Sequence, residues 1–233
     1  MLGWMQPRAA LPAPPRSRGE LLLRARALED RTLGELCLAL GARLPASPVH
    51  GKGLCGQLVE RALGARAGSA PTPDFPELGV ELKTIPVAGG KPRESTFVCQ
   101  IAPREIAYEE WPTSRVRKKL GCVLWVPLEM RGGLEEARFG APRLWSPSPT
   151  EEAELRADWE ELAGLIATGG IEEVTAHRGR HLQVRPKAAH GRVRQLAPGP
   201  DDIPIEALPR GFYLRARFTG RLLGGPAGAK ETP

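Results

Sequence analysis

Residues 71–87 read PTPDFPELGVELKTIPV, with Asp74 ahead of Glu81 and Lys83 two positions beyond it. GVELKTIPV is rich in β-branched residues and bounded by Gly and Pro, which reads as a strand. In an extended strand residues i and i+2 share a face, about 6.5–7 Å apart, so Glu81 and Lys83 point one way while Val80 and Leu82 point the other. Asp74 precedes the strand and can fold back beside Glu81. Charge is costly inside a core unless it is paired or put to use. Two converging carboxylates make a hard oxygen site suited to Mg2+, which takes few protein ligands and keeps several waters. An ammonium beside that site can stabilise charge on a phosphate as its P–O bond breaks. The same residues also read as an ion pair on a half-exposed strand with Asp74 a turn residue after Pro73, and spacing alone does not separate the two.

Two further strand-like runs follow, ESTFVCQIA at 94–102 and CVLWVPLE at 122–129. With the first they read as neighbours in one mixed sheet. Helices precede them: Ser17 and Glu20, then Thr32 and Glu35, have capping-box spacing ahead of apolar runs. A third helix is expected over roughly 53–65, with Leu54, Leu58 and Leu63 inward and Glu60 on it. TSRVRKKLG at 113–121 is a basic short helix or turn. In 149–170, Leu155, Trp159, Leu162 and Ile166 recur at helical spacing, with acids on the other face and a Gly pair as stop, so this helix should pack on the sheet. The part from His181 to Leu223 reads as short strands and loops. Residues 1–16 and 224–233 read as flexible ends. The class is α/β, a central mixed sheet flanked by helices.

The chain has 233 residues, 33 Lys and Arg against 27 Asp and Glu, and a formal charge of +6. Thr175–Arg221 holds ten Lys or Arg and three acids, whereas Thr150–Val174 holds eight acids and one Arg. One positive and one negative face are therefore expected. Cys37, Cys55, Cys99 and Cys122 form no C-x-x-C pair, which suggests neither a zinc site nor a disulfide framework and favours a reducing cytoplasm. His177 and His181 have no third ligand nearby and read as surface or phosphate-contacting residues. No apolar run of about 18 residues occurs, so a soluble cytoplasmic protein, not a membrane one, is expected.

The Asp…Glu-x-Lys pattern matches the restriction-endonuclease-like nucleases, and the words around it narrow the match. LGARAGSAPTPDFPELGVELKTIPV, TSRVRKKLGCVLWVPLE, LRADWEELAGLIATGGIEEVTAHRG, LQVRPKAA and LPRGFYLRARFT together closely resemble, in order, the MutH family of mismatch-repair endonucleases, from about Ser17 to Leu223. The resemblance implies a restriction-endonuclease-like core in two lobes around a DNA cleft, spanning 17–223. It implies a metal-dependent enzyme, using Mg2+ with Mn2+ as a substitute, that nicks the unmethylated strand of hemimethylated GATC sites. MutL would direct it after MutS finds a mismatch, and the enzyme would be a monomer. The family's catalytic Asp, Glu and Lys fall on Asp74, Glu81 and Lys83, its upstream helical Glu on Glu60 and a further basic residue on Lys119. Asp74 and Glu81 would hold the metal. Its DNA-reading residues fall on Arg185, Lys187 and Tyr213, an aromatic near the site on Phe97, and a loop contact on Lys52. Two other readings stand beside this one: a GATC-specific restriction endonuclease cutting both strands, and a nuclease fold kept for DNA binding only. One such motif in 233 residues supplies one catalytic centre, enough for nicking, and its intact trio argues against a site decayed to binding.

Overall fold

A computed structural model describes residues 12–44, 48–65 and 72–224. Of the expected flexible ends, 1–11 and 225–233 lie outside the described residues; within 12–16 the Ala13 carbonyl accepts from Arg24, and Gly224 closes the last helix. The helices in chain order are α1 (Arg18–Arg26), α2 (Leu33–Ala39), α3 (Pro48–Leu63), α4 (Arg115–Leu120), α5 (Pro149–Ala167) and α6 (Ala216–Gly224). The strands are β1 (Glu81–Ala88), β2 (Lys91–Pro92), β3 (Thr96–Gln100), β4 (Val123–Glu129), β5 (Arg138–Phe139), β6 (Arg143–Trp145), β7 (Leu182–Pro186), β8 (Gln195–Ala197), β9 (Ile205–Ala207) and β10 (Arg210–Leu214). They fall into two compact units: one runs to Lys91 and takes back Val123–Trp145, and the other comprises Pro92–Cys122 and the segment from Ser146 through α6. No described helix is long and apolar enough to cross a membrane.

The first unit is built on a five-stranded mixed sheet ordered β2-β1-β4-β5, with β6 also paired to β4. β1 and β4 run parallel, Glu81 opposite Val123 and Lys83 opposite Trp125. A parallel pair needs a long crossover, and here residues 92–122 supply it. Val123 through Val126 are all buried, the continuous apolar run of a strand covered on both faces. Leu21 of α1, Leu33 and Leu36 of α2, and Leu58, Val59 and Leu63 of α3 are buried in the same unit. α2 starts in a full capping box in which Thr32 and Glu35 each accept the other's backbone N–H. α1 has half of one: Ser17 accepts from the Glu20 amide, while the Glu20 carboxylate turns to the Arg16 amide at 2.7 Å. α3 begins five residues before the expected start, and Leu54 is only half-buried.

The second unit holds a three-stranded antiparallel sheet, β3-β10-β7, and a two-stranded ribbon, β8-β9. β3 thus belongs to a different sheet from β1 and β4, against the expectation of one shared sheet. Its partner β10 lies more than a hundred residues later, and an apolar β-branched run does not encode which remote strand it will pair with. α5 buries Leu155, Trp159, Leu162 and Ile166 as expected, and it packs against β7, a strand of the antiparallel sheet, where the sequence suggests one mixed sheet. ARFTGRLL, read as strand or loop, is helical in α6, burying Phe218 and Thr219.

Part of the charge expected to separate into a positive and a negative face is paired locally. Arg180 pairs with Glu154 at 2.6 Å and Arg178 with Glu161 at 3.3 Å, so acids of α5 neutralise the basic segment that follows. Arg215 donates to the carbonyls of Ala176, Arg178 and Gly179, and Arg210 to those of Glu172 and Val174. These guanidiniums clamp the 172–180 segment. His181 is a core residue, 1% exposed, with Nε2 at 2.8 Å from Glu154 and its ring against Phe218, which corrects its reading as a surface group. The hydrogen bond from His181, helped by the Arg180 charge, holds the Glu154 carboxyl below its ordinary range.

Buried Asp158 on α5 accepts the backbone N–H groups of Arg180, His181 and Leu182 at 2.6–2.8 Å and so fixes the entry to β7. Asp158→Asn removes one of its two acceptor oxygens. It is expected to cost about 1–3 kcal/mol, the penalty for stranding a buried donor, read as a lower melting temperature. An unchanged melt would mean that these amides find other acceptors.

Candidate active site and nucleic-acid interface

Phe75 and Val80 exchange both backbone hydrogen bonds, at 2.9 and 3.2 Å, and close a tight loop ahead of β1. Gly79 turns that loop with a φ of 62°, a left-handed conformation that favours glycine. Arg18 of α1 donates to the Leu78 carbonyl at 3.0 Å and braces it. The loop returns Asp74 to the start of β1, where its Oδ2 accepts the Leu82 amide at 2.8 Å. Asp74 and Glu81 are 5% and 3% exposed.

Strand alternation then places Lys83 on the face of Glu81, and Nζ meets Oε1 at 2.6 Å. Further along the same face Ile85 and Val87 are buried, so the charges occupy one end of an otherwise apolar stripe. Two carboxylates and one ammonium leave a net charge of −1, and the donors are all hard oxygens. That chemistry fits a small dication completed by waters and phosphate oxygens. Among the described residues there is no group of three or more His, Cys, Asp or Glu that could hold a metal ion, so Glu60 does not complete such a cage with Asp74 and Glu81. Glu60 lies half-buried in the last turns of α3, a helix that packs on β1. Lys52 was expected in a loop; its backbone lies within α3, and its side chain is outside the described residues.

The DNA-reading candidates gather in the second unit. Tyr213 on β10 stands opposite Gln183 on β7 and Phe97 on β3. Phe212 is 3% exposed and Tyr213 half-buried, so Phe212 is the core aromatic and Tyr213 turns to the other face of the sheet. A register shift between Phe212 and Tyr213 puts Phe97 on the Tyr213 face, rings edge to face at 5.3 Å. Gly211 permits this: a Cβ there would lie 2.7 Å from the Phe97 ring. The exposed cations complete the face. Lys187 Nζ sits 4.6 Å from the Phe97 ring centre and the Arg185 guanidinium 5.9 Å from that of Tyr213. Burial pushes the Tyr213 phenol up, with Arg185 acting against and Glu94 reinforcing, so it stays protonated at neutral pH.

Lys119 lies on α4 of the second unit and is 8% exposed. Its helix neighbours are bound to acids, Arg115 to Glu105 and Glu109, and Arg117 to Glu152 at 2.5 Å. Two polar residues escaped the sequence reading: Ser95, whose hydroxyl accepts from Gln183 at 2.6 Å and Arg185 at 3.0 Å, and Gln183 itself. The signal for Gln183 was its place two residues before Arg185 in one strand.

A family model described as DNA mismatch repair enzyme MutH matches residues 63–158, which include Asp74, Glu81, Lys83, Phe97 and Lys119. Proteins named DNA mismatch repair protein MutH align over nearly the whole chain. The one from Serratia proteamaculans is 50% identical over 218 residues, covering 91% of this chain and 95% of that protein. The one from Yersinia enterocolitica is 50% identical over 91% of this chain and 94% of its own length, and the one from Vibrio cholerae 48% over 90% and 96%. At this identity and coverage, with the α/β core and the Asp74–Glu81–Lys83 arrangement in place, the chain belongs to the MutH family of DNA mismatch repair enzymes.

Proposed function

We propose that this mismatch-repair endonuclease uses Mg2+, or Mn2+ in its place, to nick the unmethylated strand at hemimethylated GATC sites. It works as a monomer in the cytoplasm, brought into action by MutL after MutS has found a mismatch. The observation that carries the reading is the convergence of Asp74, Glu81 and Lys83 at the mouth of β1. Asp74 and Glu81 would hold the metal. When bound, it supplies Lewis-acid polarisation of the scissile phosphate and a nucleophile at neutral pH. The Leu82 amide fixes the Asp74 carboxylate, so no reorganisation is needed as charge develops. Lys83, steered by Glu81, presents its ammonium to the phosphate oxygen that gains charge as the P–O bond breaks. Glu60 on α3 supports the site by its carboxylate charge, while Lys119 on α4 and Lys52 serve the enzyme by attraction for the DNA backbone. Arg185, Lys187, Phe97 and Tyr213 read the site.

The test is a set of supercoiled plasmids carrying unmethylated, hemimethylated or fully methylated GATC, with and without Mg2+. Nicked circles are expected from the first two substrates, and from the hemimethylated one only in the unmethylated strand. Immediate linear product would instead support a restriction enzyme that cuts both strands, and retention without cleavage a binding module.

A further inference from the structure

Arg185 is an exposed residue whose direction needs explaining. Arginine carries about 2 kcal/mol of rotamer entropy, and a ring centre 5.9 Å away constrains it weakly. Its one hydrogen bond among the described residues runs from Nη1 to Ser95 Oγ at 3.0 Å. That contact uses one corner of the guanidinium. The opposite edge, Nε and Nη2, has no acceptor among the described residues. Ser95 is itself held, because Oγ also accepts from Nε2 of Gln183 at 2.6 Å, and Gln183 is 5% exposed. A buried amide thus pins a hydroxyl, and the hydroxyl pins one corner of an exposed fork. Two parallel N–H groups in a plane are what a base edge with two acceptors accepts in the major groove.

We infer that Ser95 is the positioning residue for Arg185: by taking Nη1 it leaves the Nε–Nη2 edge aimed outward for a bidentate base contact, and so sets sequence choice. The inference rests on the reading that Arg185 contacts DNA bases. Ser95 does so from the residue before β3, while Arg185 lies on β7, so the contact ties the two outer strands of the sheet across β10. The hydroxyl is matched to the task. An Ala there would leave both the Gln183 amide and the guanidinium without this acceptor, whereas a Thr keeps it.

The full-length protein is tested as wild type, Ser95→Ala, Ser95→Thr, Arg185→Ala and the Ser95→Ala/Arg185→Ala double variant. Each is assayed for kcat and KM on duplexes carrying GATC or a single-base departure from it. Arg185→Ala is expected to reduce discrimination between these duplexes by roughly tenfold or more. Ser95→Ala should reduce it about two- to tenfold, as the loss of one hydrogen bond does, and should also melt earlier than Ser95→Thr because it strands the buried Gln183 amide. Ser95→Thr should restore discrimination to within about twofold, and Ser95→Ala should add nothing once Arg185 is gone. Loss of discrimination in Arg185→Ala with full discrimination in Ser95→Ala overturns the positioning role alone. So does a Ser95→Ala effect of equal size in both backgrounds. Wild-type discrimination in Arg185→Ala overturns the underlying reading as well, and the two failures are told apart by that single variant.

Discussion

Asp74→Asn is expected to lower the rate of strand cleavage by at least about 10²-fold while leaving DNA affinity at or above the wild-type level. The choice of Asn over Ala follows from the geometry. Asp74 Oδ2 accepts the Leu82 amide at 2.8 Å in a buried position, and an Asn carbonyl keeps that hydrogen bond. What Asn removes is the negative charge and with it most of the attraction for a dication. Affinity should not fall, since one charge that repels phosphate is gone. Lys83 needs the opposite care. Glu81 is 3% exposed and Lys83 is a partner of it at 2.6 Å, so Lys83→Ala removes an ion-pair partner from a buried carboxylate, a loss of up to roughly 3–5 kcal/mol in comparable pairs. A fall in activity there would mix chemistry with stability. The clean comparison is Asp74→Asn measured for nicking, for DNA retention and for melting temperature. Wild-type turnover in that variant, with the fold intact, would reduce the Asp74–Glu81–Lys83 arrangement to a structural ion pair beside a turn.

The parts of this protein that were legible in its sequence are those fixed by short-range rules. Strand alternation placed Glu81 and Lys83 on one face, and the structure joins them. Helical spacing picked out Leu155, Trp159, Leu162 and Ile166, all buried. Thr32 and Glu35 announced α2, and the box forms. The errors are long-range. β3 reads as a strand but finds its partner in β10, so the single expected sheet became two. His181 looked like a surface group because the carboxylates that shelter its segment, Glu154 and Asp158, stand a whole helix earlier. The charge imbalance between Thr150–Val174 and Thr175–Arg221 looked like two faces and is in part an interlock of Arg178 and Arg180 with acids of α5, for the same reason. α6 was hidden by Thr219 and Gly220 in the middle of its sequence, residues that lower helix propensity without preventing burial of the Phe218 face. For the site, alternation reduced the choice to Phe212 or Tyr213 but could not name the outward one. The register shift opposite β3 is a feature no local pattern announces.

That outward residue carries the second large expected effect, on the proposed reading that Tyr213 senses a methyl group. Adenine offers N6 in the major groove, where methylation adds bulk and replaces one donor hydrogen. A wall that rejects this methyl must not yield, and the Tyr213 ring is braced edge to face by Phe97 at 5.3 Å, with the Arg185 cation 5.9 Å from its ring centre. Phe97 in turn is held close over Gly211. Such a clash or lost contact is worth about 1–3 kcal/mol, or roughly a ten- to hundredfold preference for the unmethylated strand. Tyr213→Ser opens the wall. The ratio of cleavage rates between unmethylated, hemimethylated and fully methylated GATC duplexes should then collapse towards unity, while the rate on the unmethylated duplex falls less than it does in Asp74→Asn. Tyr213→Phe separates two origins of the effect. It keeps the ring and its contact with Phe97 but removes the hydroxyl, which is a protonated donor at neutral pH. Retained discrimination in the Phe variant assigns the sensing to shape, and loss in both variants assigns it to the hydroxyl. If Tyr213→Ser keeps the wild-type ratios and only melts earlier, Tyr213 is a packing residue for Phe97 and the methyl is sensed by another group.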